Sequence, residues 1–175
     1  RYVVVSVVGG VLLAMFFVLL NGWFVLAEFA LVKVRTTRLR ELAQEGHGRA
    51  RLALQITGKL DDYLSAIQLG ITLTSLALGW IGEPAIARVI EPLFDRLPGS
   101  KVLTHGIAVG VAFSAITFLH VVVGEQVPKM MGILRSERFS LWTAFPLHCF
   151  FVVTWPLIVV LRGAANALCR LLGFE

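Results

Sequence analysis

The sequence has 175 residues, of which 57% are hydrophobic and only 15% are charged, and its mean hydropathy is +0.82. One compact soluble domain of this length could not cover so many apolar side chains with polar surface, so the composition excludes that class. The formal net charge of +5 would suit nucleic acid. Most lysines and arginines, however, cluster beside apolar runs, where anionic headgroups and the positive-inside rule explain them. The predicted partner is a lipid bilayer and not a nucleic acid.

The first apolar run predicts a membrane span over residues 2–34. It holds no charged residue over residues 2–27, and at about 1.5 Å per residue the helix is longer than the ~30 Å hydrocarbon core. The helix must therefore tilt, bend or protrude. Gly9-Gly10 and Asn21-Gly22 supply small residues where a second helix can approach closely. The run is too long for a signal-peptide core and is expected to stay in the membrane.

Residues 35–60 predict cytoplasmic helices that lie at the headgroups. Apolar residues such as Leu39 and Leu42 are interleaved with basic ones, and Glu41 and Glu45 are the only acids of the segment. The basic residues from position 33 to position 59 are Lys33, Arg35, Arg38, Arg40, Arg49, Arg51 and Lys59.

A second span is predicted over residues 62–80. Asp61-Asp62 precedes it, and either acid can cap the N-terminus of the helix. Gly79, Gly82 and Pro84 are expected to end this helix, and a short helix over residues 83–94 should follow.

Residues 95–100 form the predicted loop on the opposite side of the membrane, and a third span over residues 102–124 returns to the basic side. Basic residues collect again after this span, beginning with Lys129 and Arg135. The positive-inside rule therefore places the N-terminus outside and residues 35–60 in the cytoplasm.

The last part of the chain, residues 126–172, is predicted to belong to the juxtamembrane belt. Residues 141–172 are apolar enough to span, but Pro146 and Pro156 interrupt them. A broken, re-entrant or interfacial hairpin and a fourth span both fit this composition. The predicted fold class is an all-α membrane protein with three transmembrane helices per subunit, juxtamembrane helices and a broken or interfacial C-terminal apolar segment.

Each predicted span carries a polar stripe on an otherwise apolar helix. Spacings of three and four residues place the polar side chains of one span on one helical face, and Asn21 and Glu28 of the first span are seven residues apart. A carboxylate in hydrocarbon is costly, so an intramembrane acid is a functional-site hypothesis by default. The stripes of the second and third spans are Ser65, Gln68, Thr72 and Ser75, and Ser114, Thr117 and Glu125.

The atoms that these stripes offer are oxygens, which suit a hard cation such as Mg²⁺ or Na⁺ better than zinc or copper. Pro128 lies three residues after Glu125 and removes a backbone donor, which predicts free carbonyls beside the carboxylate. A structural interpretation competes with this one. Serine and threonine commonly bond their own helix, Asn21 and Gln68 can join helices by hydrogen bonds, and Glu28 can pair with nearby cations.

Three motifs resemble a known family in order and spacing. They are Asn21-Gly-Trp-Phe-Val-Leu-Ala-Glu-Phe-Ala-Leu31, Tyr63-Leu-Ser-Ala-Ile-Gln-Leu-Gly-Ile-Thr-Leu73 and Gly124-Glu-Gln-Val-Pro-Lys129. Together they resemble the transmembrane domain of the CorC/cyclin-M family of magnesium transporters, over essentially the whole chain.

The resemblance implies a homodimer with three spans per subunit in the bacterial inner (cell) membrane, with the N-terminus outside. It implies a single transmembrane domain over residues 1–175, read as a fragment of a longer protein. The cytosolic CBS module that binds ATP and regulates transport in the family is absent from this fragment. An interfacial path for the C-terminal segment is favoured over a fourth span. The implied activity is Mg²⁺ export coupled to Na⁺ entry by alternating access, and not an enzymatic reaction.

Carried over by position, the family's GE-x-x-P motif assigns Glu125 as a carboxylate ligand of Mg²⁺ and Gly124 as a carbonyl ligand. Asn21 is the first-span ligand, and Pro128 and Gly70 are expected helix breaks. An asparagine follows the second-span glycine in the animal branch of the family, whereas Ile71 follows it here, so the second-span ligands stay a set of candidates. Those candidates are Ser65, Gln68, Thr72 and Ser75, and a secondary or Na⁺ site is predicted at Glu28, Ser114 and Thr117.

Two other classes of protein remain as alternatives. A non-transporting scaffold or Mg²⁺ sensor that regulates another transporter would use the same stripes for helix packing. A membrane redox protein could use His105 and His120 as haem ligands, although no paired spacing or thiol-attachment motif accompanies them.

Overall fold

The computed structural model describes residues 2–94 and 101–173, and all regular structure in those ranges is helical. The predicted loop at residues 95–100 lies outside the described residues. The helices are α1 Tyr2–Lys33, α2 Thr36–Gln44, α3 Gly48–Thr57, α4 Leu60–Phe94, α5 Lys101–Leu119, α6 Val127–Leu134 and α7 Ser136–Leu171, with a π-helical segment, His120–Gln126, between α5 and α6.

The all-α prediction is confirmed over the described residues. Four stretches of helix are long and apolar enough to cross a bilayer: Val8–Lys33, Leu60–Val89, Val109–Leu134 and Ser136–Leu171. The first three overlap the predicted spans. The fourth lies in the predicted juxtamembrane belt and is as apolar as the others, so the count of three spans stays a prediction.

Glycine and proline interrupt fewer helices than the sequence predicts. α4 continues through Gly70 and Pro84, so no separate helix begins at residue 83, and α7 continues through Pro146 and Pro156. The predicted break at Gly70 is therefore wrong, and of the two predicted forms of the C-terminal segment the broken one is wrong, while an interfacial path stays a prediction. A proline removes one backbone hydrogen bond, whereas ending an apolar helix would expose several backbone groups that hydrocarbon cannot satisfy.

The chain forms two compact units. The first comprises Arg1–Leu26 and Gly70–Met130, and the second comprises Ala27–Leu69 and Met131–Glu175.

Small residues allow the helices of the first unit to pack closely. A Cβ atom built on Gly10 would lie 2.8 Å from the Cβ of Ala85, whereas one built on Gly9 would meet nothing within 4 Å. The predicted close approach at Gly9-Gly10 is thus confirmed for Gly10. The buried core of this unit consists of Ala14, Val18, Leu78 and Ile116.

In the second unit α3 packs against both α2 and α7. The fully buried side chains of this unit include Leu39 of α2 and Ile56 of α3. On the surface, the Arg38 guanidinium donates hydrogen bonds to Glu41 at 3.0 Å and to Glu137 at 3.4 Å. The hydrogen bond to Glu41 and then the negative charge of Glu137 raise the pKa of Arg38 above its ordinary value.

The first turns of α4 contact α7 within the same unit. The Tyr63 ring stacks on Phe151 with 4.1 Å between ring centroids, and the Tyr63 hydroxyl is hydrogen-bonded to Nδ1 of His148 at 2.7 Å. Asp62 forms an ion pair with Arg162. The acid at the start of α4 therefore binds a neighbouring helix, in addition to lying in the first turn as the sequence predicts.

Candidate intramembrane ion site

The candidate site begins with a close approach between α1 and the π-helical segment. A Cβ atom on Gly22 would lie 2.9 Å from Cγ of Pro128 and 3.2 Å from the carbonyl oxygen of Val123. Only a residue without a side chain fits such a gap without displacing a neighbour. Gly22 therefore lets the preceding residue, Asn21, reach the backbone of the π-helical segment.

Asn21 replaces a hydrogen-bond donor that Pro128 lacks. In an α-helix the N–H of residue 128 would donate to the carbonyl of Gly124, four residues earlier, but a proline has no N–H. The side-chain nitrogen of Asn21 donates to the Gly124 carbonyl instead, at 3.0 Å. Both groups are buried, so this bond satisfies a carbonyl that would otherwise carry a desolvation cost.

The regular α-helix is interrupted directly before Pro128, where the backbone changes helix type instead of unwinding. Residues His120–Gln126 form the π-helical segment, and the N–H of Val127 donates to the carbonyl of Val122, five residues earlier. Pro128 then lies in the first turn of α6, where a missing N–H is tolerated. A π-helical turn inside an α-helix is frequently found at functional sites.

The side-chain oxygen of Asn21 accepts two further hydrogen bonds, both from α4. The Thr74 hydroxyl donates to it at 2.9 Å and the Ser75 hydroxyl at 3.2 Å. Asn21 is 2% exposed and Thr74 is 4% exposed, so this is a buried polar cluster in an apolar unit. We call Asn21, Thr74, Ser75 and Gly124 the oxygen cluster.

Gly70 brings α4 close enough to α1 for these bonds. A Cβ atom at this position would lie 2.5 Å from two ring carbons of Phe24, which is impossible without movement of that ring. Gly70 and Thr74 are one helical turn apart, and the Gly70 carbonyl is a second acceptor for the Thr74 hydroxyl at 2.8 Å. The role of Gly70 is close packing and not a helix break.

Thr74 was missed by the sequence prediction, which selected the face of α4 that carries Thr72 and Ser75. The spacing Gly70-x-x-x-Thr74 is a pair of small residues one turn apart, which is a known signal for close helix packing in membranes. That signal, applied to α4, would have found it.

Glu125 directly follows Gly124 of the oxygen cluster in sequence but forms no hydrogen bond with the other members of the cluster. Its side chain is exposed, and it forms no hydrogen bond or ion pair with the residues that the structure describes. An uncompensated carboxylate in a helix of this hydropathy is costly unless a cation or water reaches it. Its predicted role as a metal ligand stays a prediction.

The remaining predicted site residues are not joined to the cluster by the hydrogen bonds described above. The Ser65 hydroxyl donates to the carbonyl of Asp61, and the Ser114 hydroxyl to that of Gly110, each within its own helix. These two bonds match the structural interpretation of serine in an apolar helix. Gln68, Thr72 and Thr117 are exposed, and Glu28 is partly buried in the second unit.

His120 opens the π-helical segment, and its Nε2 atom is buried without a hydrogen-bond partner among the described residues. The ring lies against Gly124, since a Cβ there would be 2.8 Å from Cδ2 of His120. The side chain of His105 lies outside those described. Within the described part of the chain, no three His, Cys, Asp or Glu side chains are grouped as metal ligands would be.

Comparison with known proteins identifies the family. The sequence profile of the cyclin M transmembrane N-terminal domain matches residues 12–175. The chain is 46% identical over 166 residues to the UPF0053 protein YhdT of Bacillus subtilis, which covers 95% of this chain and 35% of that protein. It is 47% identical over 152 residues to the UPF0053 protein YugS of the same organism, covering 87% of this chain and 35% of the relative.

A more distant relative, the uncharacterized protein Rv1841c of Mycobacterium tuberculosis, is 32% identical over 170 residues, which is 97% of this chain and 48% of that protein. The chain thus spans between about a third and a half of the length of these relatives. The matched profile and the long apolar helices together describe a multi-pass membrane protein. The chain belongs to the cyclin M transmembrane domain family.

Proposed function

We propose that this chain is the membrane domain of a Mg²⁺ transporter that works by alternating access and exports Mg²⁺ in exchange for Na⁺. The proposal rests on one observation, the buried oxygen cluster that three segments build beside Glu125. It includes a homodimer in the bacterial inner membrane with the N-terminus outside, and a cytosolic CBS module in the full-length protein. The proposed activity is transport and not an enzymatic reaction.

The spacing of the oxygen cluster supports Mg²⁺ as the substrate. Mg²⁺ prefers six oxygen ligands at about 2.1 Å in an octahedron, in which neighbouring ligand atoms lie about 3.0 Å apart. The Asn21 side-chain oxygen lies 2.9 Å from the Thr74 hydroxyl and 3.2 Å from the Ser75 hydroxyl. Each hydroxyl oxygen therefore lies about as far from the Asn21 oxygen as a neighbouring corner of such an octahedron would.

The hydrogen bonds of the cluster can be exchanged for bonds to the ion at small cost. The Thr74 hydroxyl has two other acceptors, the carbonyls of Gly70 at 2.8 Å and Ile71 at 3.0 Å, so its proton can turn away while its oxygen faces the ion. We propose Asn21, Thr74, Ser75 and the Gly124 carbonyl as the neutral ligands. Glu125 supplies the negative charge after a rotation of its side chain.

One carboxylate facing a divalent cation leaves a net positive charge in the site. Such a site binds Mg²⁺ weakly enough to release it on the far side, which a transporter needs. Entry of Na⁺ into the same oxygens would then favour the return of the empty site.

The test is Mg²⁺ flux into or out of liposomes that contain the purified chain, with and without an opposing Na⁺ gradient. Glu125→Gln keeps the size of the side chain and removes its charge, and it should abolish flux. Glu45→Gln is the matched control, because Glu45 is an exposed acid of the basic cytoplasmic segment and lies far from the site in sequence. Flux that is unchanged in Glu125→Gln contradicts the assignment of the carboxylate.

A non-transporting scaffold or sensor is the second candidate, and one observation favours it. Both ends of the Asn21 amide already have protein partners, since its nitrogen donates to Gly124 and its oxygen accepts from Thr74 and Ser75. The cluster could therefore serve only to hold helices together. Liposomes that show no Mg²⁺ flux with the wild-type protein, while calorimetry still detects Mg²⁺ binding that depends on Glu125, would favour the sensor.

A further inference from the structure

A cleft on the second unit combines unpaired positive charge with an apolar wall. It has a volume of about 510 Å³ and lies between the start of α3 and the first turns of α7. His47 and Arg49 line it from the α3 side and Arg138 from the α7 side, while Leu141 and Trp142 supply apolar surface. A ligand of this cleft must therefore offer negative charge to the arginines and apolar surface to Leu141 and Trp142.

The two arginines of the cleft have no carboxylate partner in the described part of the chain. Glu137 precedes Arg138 directly on α7 but binds Arg38 of α2, which also binds Glu41. Arg49 and Arg138 are exposed, and neither forms an ion pair with a described residue. Two guanidinium groups facing one cleft without an acid favour an anionic ligand, and guanidinium geometry matches phosphate oxygens.

The apolar wall indicates that the anion is attached to a lipid. Arg138 and Trp142 are four residues apart on α7, so they share one helical face and Trp142 lies one turn further along the apolar helix. The indole is 52% exposed, and the next turn presents Phe145, which is 63% exposed. Tryptophan is enriched at the headgroup level of membranes, where its apolar ring and its N–H meet different surroundings. A free phosphate ion would leave this wall uncovered.

We propose that this cleft binds the phosphate headgroup of an anionic phospholipid, with Arg49 and Arg138 contacting the phosphate and Leu141 and Trp142 contacting the glycerol and the upper acyl chain. The site is separate from the oxygen cluster and does not depend on the transport proposal. Its specificity is for headgroups with a net negative charge, because no carboxylate lines the cleft to bind the ammonium of a zwitterionic headgroup.

The test is native mass spectrometry of the detergent-solubilised chain titrated with phosphatidylglycerol or with phosphatidylcholine of the same acyl chains. The wild type should retain more phosphatidylglycerol than phosphatidylcholine at the same lipid concentration. The variant R49Q/R138Q should bind it about tenfold more weakly, since each basic group near an anionic headgroup contributes a few-fold. The matched control is R40Q/R51Q, which removes the same charge from exposed arginines of α2 and α3 that do not line the cleft.

A second variant separates a built site from general attraction between charges. Gly48 also lines the cleft, and a Cβ atom there would meet nothing within 4 Å, so Gly48→Leu adds apolar bulk at the cleft with all charges kept. It should weaken phosphatidylglycerol binding as R49Q/R138Q does. Circular dichroism checks that each variant remains helical.

Three outcomes would overturn the proposal. An equal loss of phosphatidylglycerol binding in R49Q/R138Q and R40Q/R51Q would mean that binding depends only on net charge. Equal retention of phosphatidylcholine by the wild type would remove headgroup selectivity. Displacement of phosphatidylglycerol by inorganic phosphate at the same concentration would make the ligand a soluble anion instead of a lipid.

Discussion

Asn21 and Arg38 each hold several partners, but under opposite physical conditions. Asn21 is a neutral side chain, 2% exposed, that bonds Gly124, Thr74 and Ser75. Arg38 is charged, its side chain is 46% exposed, and it bonds two carboxylates that are themselves exposed. A buried polar group loses its hydration on folding and depends on its partners, whereas an exposed ion pair exchanges protein partners for water at little cost. The hydrogen bonds of Asn21 should therefore stabilise the fold more than the ion pairs of Arg38 do.

The largest expected effect comes from the packing that brings the buried cluster together. Gly70→Ala places a methyl group 2.5 Å from the ring of Phe24, so α4 or the ring must move, and overpacking of this kind costs roughly 1–3 kcal/mol. The free energy of unfolding, measured by titration with sodium dodecyl sulfate, should fall by that amount.

The control for this substitution lies on the same helix. A Cβ atom on Gly79 would meet nothing within 4 Å, so Gly79→Ala should leave the free energy of unfolding unchanged or raise it slightly. Phe24→Leu removes the ring that the added methyl group would contact, so it should restore part of the free energy of unfolding that Gly70→Ala loses. An equal loss for both glycine variants would show that helix propensity, and not the approach of α4 to α1, governs this position.

The second effect tests the buried cluster itself. Asn21→Leu keeps the approximate volume of the side chain but removes one donor and one acceptor, which leaves the Gly124 carbonyl without its side-chain partner. We expect a loss of about 1–2 kcal/mol in the free energy of unfolding, since hydrogen bonds between membrane helices contribute roughly 0.6 kcal/mol each on average.

The cost of Asn21→Leu should depend on Pro128. Pro128→Ala supplies a backbone N–H that can donate to the Gly124 carbonyl, so Asn21 is no longer its required partner. Asn21→Leu should then cost less in the Pro128→Ala background than in the wild type, which a double-mutant cycle measures. Additive costs would mean that Asn21 does not compensate for the donor that the proline lacks.

The sequence predicted the helical class, the approximate spans and the polar residues Asn21 and Ser75, because apolar runs and polar spacing depend on local sequence, whereas Gly124 was implied only by the family resemblance. It assigned Asn21, Ser75 and Gly124 to one site, and the structure brings these three together. It did not find Thr74, whose role follows from how closely Gly70 lets two helices approach. It also expected breaks at Gly70 and Pro128, where the structure shows close packing and a change to π-helix. Such choices are made by neighbouring helices and not by local propensity.

The smallest expected effect on stability is that of removing the exposed ion pairs of Arg38. Arg38→Gln removes both ion pairs, yet its partners stay solvated, and exposed pairs commonly contribute little to stability. Hydrogen bonding raises the pKa of Arg38, so any stabilisation linked to its protonation is fully present below the pKa of the unfolded chain and is lost only at more alkaline pH. Between about pH 6 and pH 9 the guanidinium stays charged in both states and adds no pH dependence.

The thermal unfolding midpoint of Arg38→Gln in detergent should therefore match the wild type, at low salt and at about 0.5 M salt, where screening removes exposed pairs altogether. Asn21→Leu, measured beside it, should lower the midpoint equally at both salt concentrations, because its partners are neutral and buried. A loss in Arg38→Gln as large as that in Asn21→Leu would contradict the expected difference between these two residues. The exposed contact between α2 and α7 would then stabilise the fold as much as the buried oxygen cluster does, and burial would not explain which polar groups matter for stability.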